Sequence, residues 1–130
     1  MTARVLYLDD NPSNLKLMRM VMSARADIEL SVARDGAEGL RVAQSQPFDL
    51  VLVDLYLPDA RGDEVVKRLR SHEATAEVPA VVVSAEDDIA VVAEAMQAGA
   101  DAYVTKPFDV AELMLLVDKL LAASVAQDGS

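Results

Sequence analysis

Cysteine is missing altogether from this chain of 130 residues, which excludes disulfides, thiolate zinc sites and thiol nucleophiles. Long hydrophobic runs are missing too. Stretches such as Leu50-Val51-Leu52-Val53 and Ala80-Val81-Val82-Val83 are strand-sized, far below the ~20 apolar residues of a membrane helix. The N-terminus has neither the charged start nor the cleavage site of a secretory leader, so the expected location is the cytoplasm, with no membrane association. Positive charge is scarce: 12 Lys and Arg stand against 22 Asp and Glu. A net charge of -10 repels the phosphate backbones that nucleic-acid binders hold through Lys and Arg, and direct nucleic-acid binding is not expected. The single histidine, His72, lies in a polar stretch with Glu73 and Thr75 that suggests no partner to orient it; it reads as solvated.

What is present fits one compact domain with one core. No repeat, low-complexity tract or Pro/Gly-rich linker interrupts it, and only Ala126-Gln127-Asp128-Gly129-Ser130 reads as a frayed end. The expected organisation is a domain over 1–123, a flexible tail over 124–130, and no effector domain. Five short apolar runs predict strands: Val5 to Leu8, Ile28 to Val32, Leu50 to Val53, Ala80 to Val83, and Ala102 to Val104. Between and after them, apolar residues recur three or four apart, predicting five helices. The recurring residues are Leu15, Met18 and Met22; Leu40 and Ala43; Val65, Val66 and Leu69; Ile89, Ala93 and Met96; and Leu113, Leu116, Val117 and Leu120. Asn11 before Pro12 and Asp109 three residues before Glu112 are start signals, and Gly99 is a stop. Strict alternation predicts an open (βα)₅ α/β fold, a doubly wound parallel sheet covered on both faces.

In such sheets ligands gather beyond the carboxyl ends of the strands. Asp9 and Asp10 follow the first run, Asp54 the third, Ser84 the fourth, and Lys106 stands just after the fifth. Carboxylates converging from neighbouring strand ends repel one another, and a hard cation such as Mg²⁺, with Lys106 beside it, would compensate. A carboxylate can then act as nucleophile toward a phosphoryl group, a transfer that needs mostly positioning and charge neutralisation. No Gly-rich phosphate loop competes: Asp35-Gly36-Ala37-Glu38-Gly39 lacks the spacing and the lysine of a P-loop and reads as a helix start.

The segments Leu6-Tyr7-Leu8-Asp9-Asp10-Asn11-Pro12, Leu50 to Pro58 with Gly62, Val82-Val83-Ser84-Ala85, and Ala98 to Pro107 jointly resemble the receiver domain of two-component response regulators. The likeness is strongest to receivers of hybrid histidine kinases and their single-domain relatives, and it runs from Arg4 to Leu121. It implies a flavodoxin-like sheet of order 2-1-3-4-5. It implies Asp54 as phosphoacceptor, Asp10 as a direct metal ligand, Asp9 as a ligand acting through metal-bound water, and Tyr56 giving its backbone carbonyl. Asp54 completes that set, for Mg²⁺ or Mn²⁺ in its place. Lys106, before a cis Pro107, would contact the phosphoryl oxygens; Ser84 would move to the phosphoryl group, with Tyr103 changing rotamer to report it. Ala85 would leave the site open, while Tyr56 and Glu86 would flank the route of attacking water.

The implied partners are a histidine kinase or a histidine phosphotransfer protein upstream and an unidentified protein target downstream. A phosphorylation-dependent homodimer is a further expectation. The response would pass through the fourth helix, fifth strand and fifth helix. Two other functions share these residues. An aspartate-nucleophile phosphohydrolase would also join Asp, Mg²⁺ and Lys, but Asp54-Leu55-Tyr56 has no second acid two residues on, and the chain leaves no room for a cap. A receiver-shaped adaptor that is never phosphorylated would usually have lost an acid or the lysine, and all are here.

Overall fold

The computed structural model describes residues 2–128, with side-chain surroundings through residue 123. Strands and helices alternate throughout: β1 (Ala3–Leu8), α1 (Pro12–Ser23), β2 (Ile28–Ala33), α2 (Gly36–Ser45), β3 (Leu50–Asp54), α3 (Gly62–Ser71), β4 (Ala80–Ser84), α4 (Ile89–Gln97), β5 (Ala102–Thr105) and α5 (Val110–Asp128). All four pairings are parallel, in the order β2-β1-β3-β4-β5. The expected fold class and strand order are both found. Successive strand side chains point to opposite faces, so each strand feeds two cores. Leu6, Leu8, Val51, Val53 and Val82 pack with Ala43, Val65, Val66, Leu69 and Ala95 from α2, α3 and α4. Val5, Tyr7, Leu50, Leu52, Val81 and Val83 pack with Leu15, Met18, Met22, Leu113 and Val117 from α1 and α5.

Caps place the helix starts close to the strand ends. Asn11 accepts from the N–H groups of Ser13 and Asn14 ahead of α1, with Pro12 where no N–H is needed. Asp35 accepts from Glu38 N–H, Asp88 from Ala90 N–H and Asp109 from Glu112 N–H. Gly99, at φ 115°, ends α4 in the left-handed conformation that suits glycine.

One expectation needs correcting. The helix at α4 is present, but its face is not Ile89, Ala93 and Met96: Ile89 is 86% and Met96 41% exposed, while Ala95 is buried and Val91 packs against the core. The segment Ile89-Ala90-Val91-Val92-Ala93 is apolar all round, so periodicity selects no face there, and packing at close range favours the small Ala95. At the other end, α5 runs from Val110 to Asp128. Gly129 and Ser130 lie outside the described residues.

Candidate functional site

The carboxyl ends of β1 and β3 are neighbours in the sheet, and the chain leaving β5 brings Lys106 over both. Lys106 Nζ lies 3.2 Å from Asp9 Oδ2 and 3.2 Å from Asp54 Oδ2. Its backbone N–H donates to Ser84 O at 2.7 Å, which fixes the lysine's segment against the end of β4, and the Lys106–Pro107 peptide is cis. Asp9 is fully buried, whereas Asp10 at the same strand end is exposed. Asp54 is half-buried, and its Oδ1 accepts from Tyr56 N–H at 3.1 Å.

The environment treats the two inner carboxylates differently. Burial pushes Asp9 up, but the Tyr7 hydroxyl, the Asn11 N–H and Lys106 outweigh it and hold Asp9 below the usual carboxylate range. For Asp54, burial again raises the pKa, and here the Asp9 charge adds to it; the Tyr56 N–H and Lys106 offset this only in part, so Asp54 stays above its ordinary value. The same surroundings thus favour the charged form of Asp9 and disfavour that of Asp54.

Ser84 is buried, and its hydroxyl accepts from Glu86 N–H at 3.1 Å; among the described residues no hydrogen bond joins it to Asp54. Tyr103 is half-buried, with its hydroxyl donating to Glu86 O at 2.6 Å, so strand β5 and the β4–α4 loop are already joined. Tyr56 is 53% exposed, and its backbone pairs with Arg61 across the β3–α3 loop. Ala85 is exposed beside Ser84, and His72 is exposed at the end of α3, away from these residues in the sequence and without a hydrogen bond to them.

The donors are oxygens, which suit a hard divalent cation. Among the described residues no three acidic or imidazole side chains converge closely enough to hold an ion unaided. Asp9 and Asp54, at neighbouring strand ends and sharing Lys106, are the oxygen donors that stand closest together.

Four contributors are absent from the sequence reading. Tyr7 and Asn14 donate to Asp9 at 2.5 Å and 3.0 Å. Arg61 pairs with Asp63 at 3.2 Å and with Glu94 of α4 at 3.4 Å, its guanidinium 6.0 Å from the centre of the Tyr56 ring. Asp59, in the loop after Pro58, accepts from Gly36 N–H at 2.7 Å and Ala37 N–H at 2.9 Å, so the β3–α3 loop itself satisfies orphan donors of α2. Replacing Asp59 by Ala should cost about 1 kcal/mol of stability, as for other lost N-terminal caps. Urea denaturation checks this, and an unchanged midpoint would show the clamp to be idle.

A family model for the response regulator receiver domain matches residues 5–118. The master transcriptional regulator RpaA of Synechocystis, described as DNA-binding, is 39% identical over 118 residues, covering 91% of this chain and 48% of that protein. The sensor histidine kinase TmoS of Ectopseudomonas mendocina is 34% identical over 125 residues, 96% of this chain and 13% of that one. This chain thus spans less than half of either relative. Among solved structures, a sensor histidine kinase receiver domain from Pseudomonas aeruginosa superposes with a TM-score of 0.86 at 25% identity, covering 94% of this chain and 99% of that one. That structure has a magnesium ion coordinated in the active site cleft. With the sheet order, the strand-end acids and this match agreeing over nearly the whole length, the chain belongs to the response regulator receiver domain family, the receivers of two-component phosphorelay signalling.

Proposed function

We propose that the chain accepts a phosphoryl group on Asp54 from a phosphohistidine of a histidine kinase or a histidine phosphotransfer protein, and that this changes its protein-binding surface. The observation that carries the reading is Lys106 Nζ, 3.2 Å from carboxylates on two different strands. In the transfer, an Asp54 carboxylate oxygen forms the new O–P bond as the donor's N–P bond breaks, and the imidazole leaves with the bonding electron pair and takes up a proton. Asp54 suits this role because its charge is only partly compensated, while Asp9 is buried and held below the usual carboxylate range by its hydrogen bonds and Lys106. Lys106 is placed to meet phosphoryl oxygens with charge-assisted hydrogen bonds. When bound, Mg²⁺, or Mn²⁺ in its place, would supply charge neutralisation for the transferring group, held by Asp9, Asp10, Asp54 and the Tyr56 carbonyl. The Ser84 hydroxyl, now engaged with Glu86 N–H, would turn to the phosphoryl group.

Tyr103 and Ser84 meet at Glu86, the first through its carbonyl and the second through its N–H. Drawing Ser84 toward Asp54 would therefore disturb Tyr103, and with it the surface of α4, β5 and α5. That surface would serve a downstream protein or a second phosphorylated copy, in the cytoplasm. Tyr56 and Glu86 would screen the acyl phosphate from water. As a receiver the chain would catalyse only its own phosphorylation and a slow loss of the phosphoryl group.

The test is direct labelling. Incubated with acetyl phosphate and Mg²⁺, the protein should gain one phosphoryl mass, and borohydride, which reduces an acyl phosphate with release of phosphate, should convert Asp54 to homoserine; with a chelator present both signals should fall to background. Label on another residue, or label indifferent to the chelator, would overturn the reading.

A further inference from the structure

Arg61 occupies the cap position before α3, yet its side chain makes no hydrogen bond to the helix's N–H groups. Ser, Thr, Asp and Asn serve at such positions by accepting those bonds, and a cation there opposes the partial positive charge of the helix N-terminus. The side chain turns to three other partners instead. Nε and Nη2 donate to the two carboxylate oxygens of Asp63, each at 3.2 Å, and Nη2 also reaches Glu94 Oε2 of α4 at 3.4 Å. The guanidinium lies 6.0 Å from the centre of the Tyr56 ring. Of the two acids Asp63 is the firmer anchor, its side chain 12% exposed against 58% for Glu94. The backbone of Tyr56 bridges to Arg61 as well, and the Tyr56 N–H donates to Asp54 Oδ1 at 3.1 Å. Burial raises the Tyr103 pKa, the Ser84 hydroxyl and the Arg61 charge lower it, and Glu86 and Tyr56 raise it further, so Arg61 and Tyr56 lie within electrostatic reach of the Tyr103 hydroxyl.

We propose that Arg61 is a positioning residue that fixes the orientation of the Tyr56 ring and ties it to Glu94 of α4, so that the lifetime of a phosphoryl group on Asp54 depends on where α4 sits. The inference rests on the reading of Tyr56 as a screen against water. In phosphoryl loss a water oxygen forms a new bond to phosphorus, the Asp54 O–P bond breaks, the carboxylate leaves with the bonding pair, and the water's proton is released with inorganic phosphate. A Tyr56 side chain that is 53% exposed has several staggered rotamers open to it, and only some of them keep water out. A ring under a guanidinium that is itself gripped by Asp63 loses that freedom. Glu94 is the link that can change: a shift of α4, or a partner's cation taking Glu94, removes one of the two acids from the guanidinium. Exposed ion pairs and cation–π contacts are weak, so the control is graded, about two- to fivefold in lifetime.

The full chain is loaded with acetyl phosphate and Mg²⁺, freed of donor, and its phosphoryl mass followed over time. The set is the wild type, Tyr56→Ala, Arg61→Ala, Glu94→Gln, and the last two combined with Tyr56→Ala, which leaves the backbone N–H and carbonyl of residue 56 in place. Tyr56→Ala should shorten the lifetime, Arg61→Ala should shorten it by about two- to fivefold, and Glu94→Gln by about twofold. In the Tyr56→Ala background neither should have any further effect, because residues that act through one another are not additive. A merely structural role of Arg61 at the start of α3 would give the same factor in both backgrounds; that result, or a wild-type lifetime in Arg61→Ala, overturns the proposal. A wild-type lifetime in Glu94→Gln overturns the tie to α4. Should Arg61→Ala fail to fold, as judged by urea denaturation, Glu94→Gln with and without Tyr56→Ala decides it. A wild-type lifetime in Tyr56→Ala defeats the screening reading and this inference with it, while absence of label on the wild type defeats Asp54 as phosphoacceptor.

Discussion

Replacing Asp54 by Asn should take Mg²⁺-dependent phosphoryl uptake to background, and in metal-free protein it should raise the midpoint of urea denaturation. The first effect follows from chemistry: the amide has nearly the shape of the carboxylate but no anionic oxygen to attack phosphorus. The second follows from the balance of charge. Burial and the Asp9 charge raise the Asp54 pKa by more than the Tyr56 N–H and Lys106 lower it, so the folded protein holds the Asp54 proton to higher pH than the unfolded chain does. In that window the folded state binds more protons, and stability falls as pH rises from the ordinary carboxyl range through the raised folded pKa. Asn cannot ionise and escapes this loss. The stability gain should therefore be absent at acidic pH, appear as pH rises through that window, and shrink when Mg²⁺ is added, because Mg²⁺ relieves the same repulsion in the wild type. Labelling of Asp54→Asn at the wild-type level would reject Asp54 as acceptor. An equal stability gain at every pH would reject the electrostatic explanation.

How much of this site was legible in the sequence depends on the range over which each contact acts. Asp9, Asp54, Ser84 and Lys106 stand at or next to the ends of apolar runs, and once the runs are taken as parallel strands their convergence follows from the sheet alone. Caps are also local, so Asn11 and Asp109 could be read from neighbouring residues. Arg61 with Glu94, and Asp59 with Gly36 and Ala37, join segments that only the folded chain brings together, and no spacing announces them. Asn14 caps nothing and looks like an ordinary residue of an amphipathic helix. Tyr7 did carry a signal: a hydroxyl in the apolar run Val5 to Leu8 has to be satisfied somewhere. The α4 face was illegible for a different reason. Where nearly every residue is apolar, the period vanishes, and only the neighbours decide that Ala95 turns inward while Ile89 turns out.

Gly62 ties the fold to the site most tightly, and Gly62→Ala should cost about 3 kcal/mol of stability, the upper part of the range for overpacked positions. A Cβ at residue 62 would stand 2.3 Å from Asp54 O, 2.9 Å from Asp54 C and 3.0 Å from Leu55 Cα. All three are backbone atoms, so no side chain can rotate to make room. At Gly39, by contrast, the nearest atom to an added Cβ is Leu8 Cδ2, at 2.1 Å, the tip of a side chain with other rotamers. The close approach at Gly62 is also bonded: its N–H donates to Leu55 O at 2.7 Å, which docks the start of α3 directly against the end of β3. Relief of the clash must move either that helix or the backbone of Asp54. The folded fraction of Gly62→Ala should consequently label more slowly than wild type under identical Mg²⁺ and acetyl phosphate, beyond what its lower stability explains. Urea denaturation gives the stability term, and labelling rates corrected for the folded fraction give the second. A cost below about 0.5 kcal/mol, the size of an ordinary surface substitution, would show that α3 can shift freely from β3. A normal corrected rate in a destabilised protein would show that the helix moves and Asp54 does not.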